Sequence, residues 1–304
     1  MTSTFVEHDL RLYGPAAGVT ATPTLAQARH YCQQLASSHY ENFAVASWLL
    51  PSVLRPHFHA IYAYCRWSDD LADEVRSDAE SLALLDWWES ELQACYTGSA
   101  THPVFVALRD TIAQYSIPIE PFANLLTAFR QDQNRKRYET FNELLGYCEN
   151  SANPVGRLVL YLGRCHTPET VALSDSICTG LQLANFWQDV ARDYAIGRVY
   201  LPQAECRAKG YTEEMFARQE YNAAFRELLG EQVDRAEAML RAGEPLVGLV
   251  PRELRIDIAL FIRGGLAILD SIRQIDYNVW QQRPTVGRWQ KFKLLLSAWW
   301  QSRR

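Results

Sequence analysis

The sequence predicts an all-α chain, and three observations carry that expectation. Helix-start signals recur along it, with Ser or Thr three residues ahead of Glu or Gln and with proline at first-turn positions. Long helical patterns follow these starts, while strand signals scarcely occur. Two acidic stretches place their carboxylates at helical spacing. No repeat, low-complexity tract or linker interrupts the pattern, so residues 1–304 read as a single all-α domain. Its core spans about 24–283, and 284–304 form a basic amphipathic C-terminal segment.

Taken in order, Thr24 and Gln27 have the spacing of a capping box, opening a helix through about Ser37. The stretch from His39 to Trp48 follows. Pro51 and Pro56 mark the start of the first acidic helix, where a missing N–H is harmless. Ser77 and Glu80 open a helix that stops near Gly98, and Pro103 begins another that runs to about Tyr115. Thr140 and Glu143 resemble a capping box again. Their helix must bend or break between Asn153 and Gly156, because Pro154 removes a backbone donor. The second acidic helix is expected from about Pro168 to Tyr194, stopping at Gly197. Long helical patterns also occupy about 213–242, 251–274 and 284–300.

Composition excludes several classes. Of 304 residues, 48% are hydrophobic and 12% aromatic, ample for a core. A net charge of −5 argues against general nucleic-acid binding. Seven cysteines are scattered without a CxxC pair, which reads as free thiols in a reducing compartment. The N-terminus lacks a basic start followed by an apolar run, and no apolar stretch approaches membrane-spanning length. A cytoplasmic protein is expected.

The chemistry concentrates in the acidic stretches. Asp69, Asp70, Asp73 and Glu74 sit at i, i+1, i+4 and i+5 of one helix, with Tyr62 and Arg66 on the same side. Like charges at i,i+4 repel, so the cluster costs stability unless a positive group answers it. One such cluster is equally a solvated acidic face. A second one, Asn185, Asp189 and Asp193 at i, i+4 and i+8, favours function. Two oxygen-bearing helix faces opposed across a cavity would hold hard cations that keep several waters and bridge to a phosphorylated substrate. Arg55, Arg66 and the basic run Arg135, Lys136, Arg137 are the nearby cations; singly each is a surface residue, except that Arg66 shares the acidic face. A diphosphate held by Mg²⁺ and guanidinium is a good leaving group.

Other metal chemistries fit poorly. His57 and His59 diverge on a helix and read as structural, and no histidine follows a glutamate by three residues. HExxH, the P-loop and GxGxxG are absent. Tyr62, Tyr64, Tyr147, Phe186, Trp187 and Tyr200 lie around the acidic stretches; mostly they are core residues. Together, rings near a leaving diphosphate could stabilise a carbocation and exclude stray water.

These residues resemble the paired aspartate-rich motifs of the squalene/phytoene synthases, the head-to-head isoprenoid synthases. The resemblance covers about residues 30–285 and includes Leu50, Pro51 and Arg55; Tyr62 and Arg66; Tyr147, Ala152 and Gly156; and Val199 to Pro202. It implies an all-α prenyl-synthase fold with a central cavity, two or three Mg²⁺ ions and a prenyl diphosphate substrate. By position, Asp69, Asp70, Asp73, Asn185, Asp189 and Asp193 would hold Mg²⁺–diphosphate. Arg55, Arg66 and Tyr62 would touch phosphates or order the site. Tyr147 would sit near the reacting carbons, with Tyr200 among the site's aromatic residues, and Ala152 and Gly156 would leave room along the chain cavity. Two departures stand out. Gln188 replaces an arginine common before the second-motif aspartate, and Asn42-Phe43 replaces a common Ser-Phe pair near a phosphate contact.

The stretches around His39–Phe43, Tyr64–Glu74 and Asn185–Asp193 are similar to the bacterial branch that forms hydroxysqualene for hopanoids. The resemblance therefore implies conversion of presqualene diphosphate and water to hydroxysqualene and diphosphate, without NADPH. Two rivals stay open. One is a synthase condensing two prenyl diphosphates to presqualene diphosphate, squalene or phytoene. The other is a catalytically silent isoprenoid-binding or assembly protein, which would have no need of two complete motifs. The final segment carries Arg288, Lys291, Lys293, Arg303 and Arg304 beside a stripe of Trp289, Phe292, Leu296 and Trp299. Such a stripe docks peripherally on a membrane or packs as a last core helix.

Overall fold

The computed structural model describes residues 5–17, 21–38, 51–75 and 77–285. The expectations for Asn42, Phe43 and the stripe from Arg288 onward fall outside the described residues. The chain divides into two compact units, Met1–Asn134 and Arg135–Arg304. Among the described residues the secondary structure is helical apart from one isolated bridge between Arg137 and Val199.

The first unit contains α1 (Phe5–Tyr13), α2 (Leu25–Ser38), α3 (Arg55–Asp73), α4 (Asp78–Thr97), α5 (Pro103–Tyr115) and α6 (Glu120–Asn134). The capping box of α2 forms as expected: Thr24 N–H donates to Gln27 Oε1 at 2.9 Å, and Gln27 N–H donates to Thr24 Oγ1 at 3.4 Å. Ser77 caps α4, and Gly98 ends that helix at φ 87°, where a side chain would be strained. Helix α6 lies outside the expected elements, although Pro121 in its first turn is a start signal. Helix α3 turns an aromatic face inward. Trp67 stacks on Trp88 at 5.2 Å, and Tyr64 packs edge-on against Phe105 and Phe122. Burying such rings requires partners for their polar atoms. Trp88 Nε1 donates to Ser68 Oγ, Ser68 donates to Tyr64 O, and Tyr64 donates to Phe122 O. His57 Nδ1 lies 2.9 Å from Thr111 Oγ1, as befits a structural histidine.

The second unit contains α7 (Phe141–Ser151), α8 (Asn153–Leu162), α9 (Pro168–Ala195), α10 (Gln203–Ala208), α11 (Glu213–Ala217), α12 (Ala223–Ala242), α13 (Leu246–Leu249) and α14 (Arg252–Gln274). The break expected between Asn153 and Gly156 falls one residue earlier, at Ala152, which ends α7 and precedes α8. The long helix expected over 213–242 is instead two helices. Tyr211 donates to Glu220 O, Gln219 adopts φ 49°, and Asn222 caps α12 through Phe225 N–H. Helix α9 packs against α8, α12 and α14. Gly156 serves this packing, since a Cβ there would stand 2.3 Å from Ser174 Oγ and 2.5 Å from Cys178 Sγ, both on α9. The seven cysteines are unpaired thiols.

The consequence is measurable. Gly156→Ala must displace the Ser174 and Cys178 side chains or push α8 from α9, and should destabilise the fold by about 1–3 kcal/mol. Gly146→Ala, with nothing within 4 Å of its Cβ, should be neutral or stabilising. Urea midpoints at constant slope compare the two, and equal midpoints would refute the close helix contact.

Candidate functional site

The first motif sits where a helix least tolerates negative charge. Asp69, Asp70 and Asp73 occupy the last turn of α3 and Glu74 its C-cap, and that turn contains no basic residue. The carbonyl end of a helix carries a partial negative charge, so dipole and carboxylates reinforce each other unfavourably. Arg66, one turn earlier, answers them. Its guanidinium pairs with Asp69 at 3.5 Å, with Glu74 at 3.1 Å and with Asp70 in direct contact. Gln133 of α6 donates to Ala72 O at 3.1 Å and so supplies one of the missing partners at the helix end.

Asp70 is buried, whereas Asp73 and Glu74 are exposed. Burial pushes the Asp70 carboxyl up to about 7, although Arg66 opposes the shift. Its Oδ1, although against Arg66, makes no hydrogen bond of acceptable geometry. Tyr62 is half-buried, and burial raises its hydroxyl against the pull of Arg66. Arg55 opens α3, about 16 Å from Arg66 along the axis. The structure therefore gathers Tyr62, Arg66 and the acids while leaving Arg55 at the opposite helix end.

The second motif also stands toward the end of a helix, although the last turn of α9 does carry a basic residue, Arg192. Asp189 and Asp193 lie near the end of α9, and the helix departs from regular geometry at Asp189, with φ −107° and ψ 15°. Arg283 grips Asp189 with both prongs, Nε to Oδ1 at 2.6 Å and Nη2 to Oδ2 at 2.9 Å. Arg192 stands farther off, 3.8 Å from Asp189 Oδ1. Burial, then the neighbouring charge of Asp189, pushes Asp193 up to about 7. Asn185 is exposed one turn before Asp189. Gln188 is buried, its Nε2 donating to Pro284 O at 2.6 Å and its Oε1 accepting from Arg283 at 3.4 Å.

An aromatic cluster stands in the same unit. Phe186 stacks on Tyr200 at 3.7 Å, and Tyr147 lies 6.1 Å from Phe186 and 6.0 Å from Tyr200. Val199 N–H donates to Lys136 O and Gln203 N–H to Tyr138 O, which ties the two loops together and lays Tyr138 on Tyr200 at 5.9 Å. Ala152 and Gly156 are half-buried at the α7–α8 break and on α8. A small cavity bordered by Trp187, Asp193, Arg198, Tyr200 and Phe216 has room for about one water, too little for a prenyl chain.

Among the described residues, no three His, Cys, Asp or Glu side chains form an assembled metal cage. Guanidinium groups hold Asp69, Asp70 and Asp189 instead. The donors nevertheless suit a hard divalent cation. They are all oxygen, they stand at negative helix ends, and two of them are carboxyls whose ionisation burial disfavours. Arg283 was not among the expected site residues, because nothing in the sequence links position 283 to position 189.

The squalene/phytoene synthase family profile matches residues 36–290. The crystal structure of squalene synthase HpnC from Alicyclobacillus acidocaldarius is 44% identical at a TM-score of 0.81, covering 84% of this chain and 96% of that one. Phytoene synthase of Arthrospira platensis is 30% identical over 285 residues, 90% of this chain and 92% of that protein. A dehydrosqualene synthase crystal structure, 24% identical, shares the fold at a TM-score of 0.83 over 92% of this chain and 98% of its own.

The raised carboxyls fix a pH dependence. A folded-state carboxyl near 7, against an ordinary 3.8, binds its proton more tightly than in the unfolded chain. The stabilisation is complete below about pH 4 and is lost as pH rises through about 7. The cation-free protein should therefore melt lower at pH 8 than at pH 6. Magnesium with inorganic diphosphate should raise Tm more at pH 8, where the carboxylates are already ionised. Equal increments at both pH values would show that Asp70 and Asp193 are not coupled to the ion.

Proposed function

Because the chain belongs to the squalene/phytoene synthase family, we propose that it is the hydroxysqualene-forming member, converting presqualene diphosphate and water to hydroxysqualene and diphosphate. The observation that carries this reading is the 44% identity to squalene synthase HpnC over 84% of the chain, together with the motif stretches that resemble the hydroxysqualene branch. Phytoene synthases at 30% identity support the second reading, condensation of two prenyl diphosphates.

In the proposed reaction, Asp69, Asp70, Asp73, Asn185, Asp189 and Asp193 hold Mg²⁺ and diphosphate. The bound ion would neutralise charge developing on the leaving diphosphate. Arg66 is the nearest fixed cation of the first motif, and its guanidinium can turn from the carboxylates to phosphate oxygens. Tyr62, ahead of Arg66 on the same helix, orders the phosphate end. Arg55 is assigned a phosphate contact by resemblance alone. Tyr147, Phe186 and Tyr200 offer ring faces that favour a delocalised cation and exclude bulk water. The C1–O bond breaks with its electron pair leaving on diphosphate. The cyclopropylcarbinyl cation rearranges, one water adds, and its second proton leaves with diphosphate or solvent. No reductant is consumed, so no NADPH is required.

Product analysis tests this. With presqualene diphosphate and Mg²⁺ but no NADPH, the expected product is an alcohol carrying oxygen from ¹⁸O-labelled water. Asp69→Asn should abolish turnover while leaving the helical circular dichroism unchanged. Phytoene or presqualene diphosphate formed from simpler allylic diphosphates would transfer the assignment to the second reading.

We propose also that the basic, aromatic segment after Pro284 makes peripheral contact with an anionic membrane, since the hydrocarbon chains of substrate and product partition into lipid. No described helix is long and apolar enough to cross one. Each basic residue near such a surface adds about 1 kcal/mol, weakened by salt. A chain truncated after Pro284 should lose liposome co-sedimentation and keep its activity in detergent. Unfolding or aggregation on truncation would return the segment to the core.

A further inference from the structure

Both oxygens of Asp189 are engaged by one side chain from 94 residues downstream. The pairing is a two-pronged guanidinium–carboxylate contact, the strongest geometry these groups have. Its seat is specific. Gln188 accepts from the Arg283 Nη2 at 3.4 Å while donating to the next residue's carbonyl, Pro284 O, at 2.6 Å. An amide can accept and donate at once, which a guanidinium cannot do. An arginine at 188 would bring a second positive charge against Arg283 and offer it no acceptor. The neutral residue before Asp189 is thus accounted for by what it holds.

We propose that Arg283 is a resident counter-ion of the second motif, seated by Gln188, which a divalent cation must displace from Asp189. This rests on the reading of Asp189 as a cation ligand. An inner-sphere ion needs the same carboxylate oxygens that the two prongs occupy. The Arg283 side chain is 36% exposed, so its release re-solvates the guanidinium rather than stranding it. Asp189, with 13% of its side chain exposed and its backbone already off helical geometry, holds the less solvated half of the pair. The Gln188–Pro284 bond lies on the backbone and survives the exchange. It keeps the freed guanidinium beside the motif, available to an incoming anion.

Mn²⁺ binding to the full chain, followed by electron paramagnetic resonance without substrate, tests the proposal. Arg283→Gln removes the competitor and should tighten Mn²⁺ binding about five- to tenfold. Arg283→Lys keeps the charge but loses the fork and should tighten it less. Gln188→Leu unseats the guanidinium and should shift binding in the same direction. Circular dichroism and Tm establish that each variant is folded; if Arg283→Gln is not, the Lys variant carries the comparison. Unchanged or weaker Mn²⁺ binding in the folded variants overturns the proposal. Asp189→Asn separates the two readings. If it leaves Mn²⁺ binding unchanged, Asp189 is not a cation ligand and both fall. If it weakens binding while the Arg283 variants fail to tighten it, the counter-ion proposal falls alone.

Discussion

The constraint on which this structure turns is the collection of carboxylates at the wrong ends of two helices. Acids at a carbonyl terminus oppose the helix dipole, and acids one turn apart oppose one another. Neither motif is left in that state. Arg66 spans Asp69, Asp70 and Glu74 from within α3, while Arg283 is brought to Asp189 from the end of the chain. Each unit thus stores negative potential beneath a guanidinium cover. The proposed binding of a divalent cation with diphosphate would use that arrangement, because a guanidinium displaced from a carboxylate has affinity for an anion.

What makes such a site tolerable is the neutral packing behind it. The inner face of α3 is fastened by uncharged contacts, Trp67 on Trp88 and the chain from Trp88 through Ser68 and Tyr64 to Phe122. None of these bonds involves a carboxylate, so changes in charge on the outer face leave this chain of hydrogen bonds intact. In the second unit, Gly156 lets α8 approach α9, and Tyr138, Tyr147, Phe186 and Tyr200 pack as a ring cluster. Rigidity in the apolar layer permits electrostatic adjustment at the polar one.

Much of this was legible in the residues, because its determinants are local. The capping boxes, the prolines at helix starts and Gly98 act within four residues of themselves. The acidic spacing named both motifs for the same reason. One reading overlooked local competitors of the helix, and others depended on tertiary contacts. The expected helix over 213–242 is interrupted because Tyr211 binds Glu220 O and Asn222 finds it better to cap than to continue a turn. The acidic face of the first motif is not uniform either, since Asp70 is buried while Asp73 is exposed. Position 283 carries no motif at all. Its partner is set by how the chain returns to α9, which periodicity and spacing do not encode.

The two guanidinium covers also differ in when they can form during synthesis. Arg66 precedes its acids on the same helix, so the first motif has its guanidinium as soon as that helix winds. Asp189 must wait for Arg283, which the ribosome delivers 94 residues later. Over that interval the second unit holds Asp189 without the arginine that grips it. Until then Arg192, 3.8 Å from Asp189 Oδ1, is the guanidinium within reach of that carboxylate.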